Sequence, residues 1–297
     1  MASRDARKQL VRMSTLAHIE EMLMRRREKR PDGEHVLVLL DLDETVFEST
    51  LPAVCAPTAS RAAIQVFLDM IFALPDHSLE ARKNAASRFT WLLQNKRTVE
   101  PITRALLGRL HSSPHIKLLG LTARRPRHAD YTQRDLGSLG IAMHQHNDWN
   151  TWVDPAETGT GAVCHQGVIH TNASQKGPVL RRFLEHSVLG QAEMVPHLIV
   201  MVDNIEHNCQ SVYDSLDETI QEHQFDLIAC HYQVAGARPP QAEDEDEQGN
   251  TKVALDHSLL ARHLTFFLDQ GFLVDDSQLP PVGINKLLAA CAKLFSF

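Results

Sequence analysis

Unbroken apolar runs, rather than alternating ones, predict the strands of this chain. The first run, residues 36–40, leads directly into Asp41 and Asp43. Such a run is typical of a parallel strand that is covered on both faces. In an open α/β sheet, ligands bind just beyond the carboxyl ends of the strands, so the two aspartates are predicted where chemistry is usually found. The alternative is that both are ordinary turn residues after a strand.

Three later segments also place a polar side chain at the end of a predicted element. Two of them are ends of apolar strands, and one is the start of a helix. Residues 116–121 lead into Thr122, and residues 198–202 lead into Asp203 and Asn204. Lys176 precedes Pro178, which is tolerated in a first helical turn. Taken one at a time, these residues also fit simple roles as a strand-end cap, a solvated helix residue and a helix cap.

The remaining pattern alternates helices with strands. An apolar stripe of Met13, Leu16, Ile19 and Leu23 predicts an N-terminal helix that stops at 31–33. Helical spacing at 64–71 and 89–93 predicts a helical insertion. Further helices are predicted at 99–110, 205–216 and 259–271, a helix-to-strand transition at 136–143, and strands at 167–170 and 225–230.

These elements predict a doubly wound, Rossmann-like, mainly parallel sheet. We expect an N-terminal helix at 1–33, a core domain at 34–50 and 99–297, and an inserted helical cap at 51–98. The 297 residues, of which 43% are hydrophobic, are enough for one large α/β domain with such an insertion.

Charge and cysteine content exclude several classes of function. The net charge of −7 argues against nucleic-acid binding, which depends on clustered lysine and arginine. A basic run at 25–30 and an acidic run at 243–247 are read as a helix end and a solvated loop. The five cysteines are scattered and predict neither a disulfide framework nor a zinc site. Without a signal-peptide pattern or a membrane span, a cytoplasmic location is expected, and export without a cleaved signal stays open.

The four segments together resemble the haloacid dehalogenase (HAD) superfamily. Asp41-Leu42-Asp43-Glu44-Thr45 matches its first motif, and Thr122, Lys176 and Asp203 occupy its second, third and fourth motifs in order. The resemblance covers residues 36–276. The Leu-Thr-Ala-Arg sequence at 121–124 is most similar to a poorly characterised bacterial branch of unknown function. Many relatives carry two acids in the fourth motif, whereas Asn204 follows Asp203 here.

The resemblance implies a HAD fold with a cap and a site for phosphoryl transfer. Asp41 would be the nucleophile that forms an aspartyl-phosphate, and Asp43, initially protonated, would be the general acid and then the general base. Mg²⁺ would be held by Asp41, the Asp43 backbone carbonyl and Asp203. Thr122 and Lys176 would bind the phosphoryl oxygens. The supporting candidates are Thr45, Asn204 and Arg124.

The expected activity is that of a magnesium-dependent phosphomonoester hydrolase. Its substrate would be a small phosphorylated molecule or a phosphoprotein carrying phosphotyrosine or phosphoserine. Two alternatives remain open: a non-catalytic interaction module with this fold, and a phosphotransferase that passes the phosphoryl group to an acceptor other than water. No nucleic-acid or membrane partner is expected, and the sequence leaves the oligomeric state undetermined.

Overall fold

A computed structural model describes residues 7–29, 34–49, 96–155, 160–190 and 195–233. The chain divides into two compact units, Met1–Glu48 with Thr98–Ala237, and Ser49–Arg97 with Arg238–Phe297. All of the described residues except Ser49, Lys96 and Arg97 belong to the first unit. Several predictions lie outside the described residues: the helices of the cap, the basic residue Arg30, the acidic run at 243–247 and the helix at 259–271.

A seven-stranded sheet forms the centre of this unit. Its strands have the order β1-β9-β8-β2-β5-β7-β6, and all neighbours are parallel except β6, which runs antiparallel to β7. Two further short strands, β3 and β4, form a separate two-stranded sheet. The strands are β1 (Lys8–Met13), β2 (Val36–Leu40), β3 (Phe47–Ser49), β4 (Lys96–Thr98), β5 (Ile116–Thr122), β6 (Val163–His165), β7 (Val168–His170), β8 (Leu198–Asp203) and β9 (Asp226–Tyr232).

Helices cover both faces of the sheet. The α-helices of the described residues are α1 (Ala17–Lys29), α2 (Thr103–Ser112), α3 (Ala129–Ser138), α4 (Asn147–Asn150), α5 (Lys176–Phe183), α6 (Glu206–Ser215) and α7 (Asp217–His223). Alternate residues of β2 enter opposite cores: Leu37 and Leu39 pack with α5, α6 and α7, whereas Val38 and Leu40 pack with α1, α2 and α3. Burial on both faces explains why β2 is apolar at every position and β8 is apolar up to its last residue, Asp203.

The predicted α/β class with a mostly parallel sheet is confirmed, and several elements lie where the pattern placed them. The apolar runs are strands β2, β5 and β8, and the runs at 167–170 and 225–230 are β7 and β9. The helix predicted at 205–216 is α6, Glu206–Ser215. Lys176 is the first residue of α5. The helix predicted at 99–110 is α2, which begins at Thr103.

Two predictions were wrong in detail. A strand, β1, precedes the N-terminal helix, and Met13 is the last residue of that strand rather than part of the helix. Met13 is buried although β1 is an edge strand. The apolar spacing that suggested one helix therefore belongs to two elements, β1 and α1. After α3 ends at Ser138, residues 141–143 form no strand.

Among the described residues, no helix has the length and apolar character needed to cross a membrane.

Candidate active site

The first motif lies in the loop that follows β2 at the carboxyl end of the sheet. The Asp41 amide donates to the Val202 carbonyl at 2.8 Å, which ties the start of the loop to β8. Glu44 has a φ of 62°, a left-handed conformation that is uncommon for a residue with a side chain. The backbone amides of Thr45, Val46 and Phe47 all donate hydrogen bonds to the Leu42 carbonyl. This tight turn keeps the Asp41 side chain buried and leaves that of Asp43 partly exposed.

A buried lysine joins two of the predicted aspartates. Lys176 Nζ lies 2.5 Å from Asp41 Oδ1 and 2.6 Å from Asp203 Oδ2. All three side chains are buried, with Lys176 only 1% exposed. The structure therefore brings the predicted nucleophile, the predicted phosphate-binding lysine and the predicted metal ligand into one cluster.

The charges of this cluster shift the pKa values of its members. Burial raises the pKa of Asp41 to about 6, against the effect of the Lys176 ammonium, which lowers it; the Asp203 carboxylate adds to the increase. Burial lowers the pKa of Lys176, but the charges and hydrogen bonds of the two carboxylates together raise it above its ordinary value. Lys176 is thus a protonated cation, and Asp41 is largely ionised at neutral pH.

Asp203 is held by one donor from the turn before α6 and one from α6 itself. The Ile205 amide donates to Asp203 Oδ1 at 2.8 Å. Asn208 Nδ2 donates to both Asp203 oxygens at 3.1 Å. Asn208 was not predicted as a site residue, because an asparagine inside a helix carries no signal without the fold that brings it to Asp203.

Thr45 and Asn204, two predicted supporting residues, link the loops after β2 and β8. The Asn204 amide donates to Thr45 Oγ1 at 3.1 Å, and Asn204 Nδ2 donates to Glu44 Oε2 at 3.1 Å. Thr45 Oγ1 also makes a long contact of 3.5 Å to Asp41 Oδ2. These bonds support the turn, so the structure gives both residues a role in orienting the loop that carries Asp41.

Arg124 forms a second cluster with Asp43 and Thr122. Its Nε and Nη2 atoms donate to the two Asp43 oxygens, each at 2.7 Å. Its backbone amide donates to Thr122 Oγ1 at 3.2 Å. The predicted supporting arginine therefore contacts the predicted acid, and Thr122 is connected to Asp43 through it. Two parallel bonds of this kind fix the orientation of the Asp43 carboxyl group.

The loop that places Lys176 is tied to the end of β5. The Thr171 amide donates to the Thr122 carbonyl, and the Ala173 amide donates to the Ala123 carbonyl, both at 2.9 Å. Asn172 and Ala173 have positive φ values of 55° and 61°, which turn the chain sharply after β7. The segments that carry Thr122 and Lys176 are thus held side by side.

The donor set of the buried cluster fits a magnesium ion. Two carboxylates face one ammonium, so the cluster can take up a further positive charge. Magnesium prefers oxygen ligands and is usually bound by one or two carboxylates together with waters. In the described part of the chain, no group of three or more Asp, Glu, His or Cys side chains is arranged for a metal. A site built on Asp41, Asp203 and the Asp43 carbonyl needs only two such side chains.

Comparison with known proteins adds a family assignment. Residues 14–265, well over half of the chain, match the family model described as protein of unknown function (DUF2608). Neither curated proteins nor solved structures give a significant match. The matched segment contains every predicted site residue, from Asp41 to Asn204. On this evidence the chain belongs to the DUF2608 family.

Proposed function

We propose that this protein is a magnesium-dependent phosphomonoester hydrolase of the HAD type. The observation that carries the proposal is the buried cluster in which Lys176 contacts both Asp41 and Asp203 at the carboxyl ends of neighbouring strands. Two buried carboxylates held by one ammonium are expensive to bury, and a purely structural core has no need of them. The motif resemblance to the HAD superfamily and the mostly parallel sheet support the same reading.

Asp41 supplies the nucleophile in this proposal. Its Oδ1 atom is engaged by Lys176, whereas its Oδ2 atom is contacted by Thr45 at the long distance of 3.5 Å. Oδ2 is therefore the atom that attacks phosphorus. The bond from phosphorus to the leaving oxygen breaks, that oxygen takes the electron pair, and an aspartyl-phosphate forms on Asp41. Lys176 and Thr122 stabilise the charge on the phosphoryl oxygens.

Asp43 is the general acid and then the general base in this proposal. In the first step it gives a proton to the leaving oxygen, and in the second its carboxylate takes a proton from the attacking water. Water then displaces Asp41, and inorganic phosphate leaves. A magnesium ion on Asp41, Asp203 and the Asp43 carbonyl would offset the repulsion between the Asp41 carboxylate and the phosphate.

The test is hydrolysis of 4-nitrophenyl phosphate by the purified full-length chain. We expect activity with magnesium, loss of activity with a chelator, and loss in Asp41→Asn. The matched control is Asp214→Asn, which changes an exposed carboxylate near the end of α6 and should leave activity unchanged.

A folded wild-type chain that stays inactive with magnesium would contradict the proposal and favour the interaction module. Adding an alcohol such as glycerol separates the remaining alternative. Formation of glycerol phosphate in place of inorganic phosphate would identify a phosphotransferase. Once hydrolysis is established, a panel of phosphorylated metabolites, phosphotyrosine peptides and phosphoserine peptides would define the substrate class.

A further inference from the structure

Arg124 holds the side chain of Asp43. The Asp43 side chain is 41% exposed, in contrast to the nearly buried side chain of Asp41. Both of its oxygens accept hydrogen bonds from the Arg124 guanidinium at 2.7 Å. A planar guanidinium that binds both oxygens of a carboxylate fixes the orientation of that group as well as its position.

Arg124 is itself immobilised by buried neighbours. Its side chain is 3% exposed, and its Nη1 atom lies 3.0 Å from Thr132 Oγ1 and 3.3 Å from Asp135 Oδ2. Its guanidinium carbon lies 5.1 Å from the centre of the Phe47 ring. Thr132 and Asp135 belong to α3 and are buried. A continuous set of contacts therefore runs from the interior of the unit to the exposed carboxylate.

We propose that Arg124 is the positioning residue for Asp43 and acts on the reaction only through Asp43. This inference rests on the proposed function. The guanidinium uses two nitrogens on Asp43 and its third on α3, so all three nitrogens are committed within the protein. A substrate-binding arginine would instead direct nitrogens at the phosphate.

The physical benefit is preorganisation of a proton-transferring group. An exposed aspartate samples several side-chain rotamers, and proton transfer needs the carboxylate within hydrogen-bond reach of the reacting oxygen. If the carboxylate is already oriented before the substrate binds, the entropy cost of orienting it no longer adds to the activation free energy. Loss of the fixation should therefore lower the rate of the chemical steps and leave substrate affinity almost unchanged.

The experiment is a double-mutant cycle with Arg124→Met and Asp43→Ala, measured with 4-nitrophenyl phosphate and magnesium. We expect Arg124→Met to lower kcat by about 100-fold with little change in KM. In the Asp43→Ala background, Arg124→Met should have no further effect, because the group that it positions is gone. A residue that only supports the fold would cause the same loss in both backgrounds.

Arg124→Lys is the second variant, because it keeps a cation beside Asp135 but cannot form the two parallel bonds. It should lose most of the same activity while its thermal unfolding stays close to that of the wild type. In Arg124→Met, Asp135 keeps the contact with Arg134 at 3.0 Å, which favours a folded variant. Arg109→Lys and Arg109→Met are matched controls, since Arg109 binds both oxygens of Glu20 on the surface at 2.8 Å.

The outcomes separate the two proposals. A wild-type chain without Asp41-dependent hydrolysis overturns the proposed function and the role of Arg124 with it. An active wild-type enzyme in which the two losses are additive, or in which Arg124→Met raises KM and leaves kcat unchanged, overturns the role of Arg124 alone.

Discussion

Lys176 is the residue on which the buried cluster depends. Its ammonium is the only cation that contacts both Asp41 and Asp203 among the described residues. A buried ion pair contributes little net stability when it is complete, but removal of one partner leaves an uncompensated charge in the interior. The lysine therefore supports the fold as well as the proposed chemistry.

We predict that Lys176→Met lowers the free energy of unfolding by about 3–5 kcal/mol, because it leaves two carboxylates facing each other in the core. Urea unfolding with a chelator present measures this loss. The double variant Lys176→Met with Asp203→Asn should recover part of the loss, since one of the two charges is removed. Equal stability of the wild type and Lys176→Met would show that the cluster is neutralised by other means.

His170 makes stability depend on pH. Burial lowers the pKa of this side chain to about 3, with the Arg124 charge as a second cause. The unfolded chain, with a histidine pKa of about 6.5, binds more protons than the folded chain between these values. The contribution of His170 is thus complete above pH 6.5 and is lost as the pH falls.

Between pH 7 and pH 5, this loss amounts to about 2 kcal/mol. We predict that the free energy of unfolding falls by about this much more in the wild type than in His170→Gln over the same range. Urea unfolding at a series of pH values gives both curves. Parallel curves would mean that His170 is not the group responsible.

The predicted site residues fall into two sets at this scale. One connected network contains Asp41, Lys176, Asp203, Thr45 and Asn204, as expected from motifs that end at neighbouring strands. The other contains Asp43, Thr122 and Arg124. The partners that immobilise them could not be predicted. Asn208, Thr132 and Asp135 lie inside helices, where polar residues are common, and only the tertiary fold shows which of them turn toward the site.

At the scale of elements, the close packing of α5 against α6 determines where Lys176 lies. A Cβ atom added at Gly177 would lie 2.0 Å from the Ser211 carbonyl oxygen, well inside contact distance. The Gly177 amide also lies 3.2 Å from Ser211 Oγ. The lysine is therefore followed by a glycine because α6 leaves no room for a side chain.

We predict that Gly177→Ala lowers the free energy of unfolding by about 1–3 kcal/mol, because α5 and α6 must move apart. It should also lower kcat, since Lys176 is carried with α5. The control is Gly137→Ala in α3, where nothing lies within 4 Å of the added atom and no loss is expected. Urea unfolding and hydrolysis of 4-nitrophenyl phosphate give the two readouts. An unaffected Gly177→Ala would show that the two helices adjust without cost.

The sequence predicted central elements well and edge elements poorly. β2, and β8 up to Asp203, are apolar because both of their faces are covered, and such runs are easily recognised. β1 and β6 are edge strands in which polar and apolar residues mix, so their patterns resemble helix or loop. Their pairing with β9 and β7 depends on partners far along the chain, which local spacing cannot reveal.

At the scale of the whole unit, the order of the strands predicts how protection from solvent is distributed. β2 and β8 lie in the middle of the sheet, while β1 and β6 lie at its edges. We predict that backbone amides of β2 and β8 exchange with deuterium only on global unfolding, and those of β1 and β6 by local opening. Native-state exchange at several urea concentrations tests this, and uniform protection across all four strands would contradict it.

The sequence separation within the Lys176 cluster has a consequence for synthesis of the protein. Lys176 follows Asp41 by 135 residues, and Asp203 follows Lys176 by 27 more. During translation, Asp41 therefore leaves the ribosome long before Lys176, and Asp203 leaves it last. The cluster is completed only after β8 joins β2. Under the proposed function, binding of inorganic phosphate or vanadate would therefore report the moment at which translation and folding have produced the finished core.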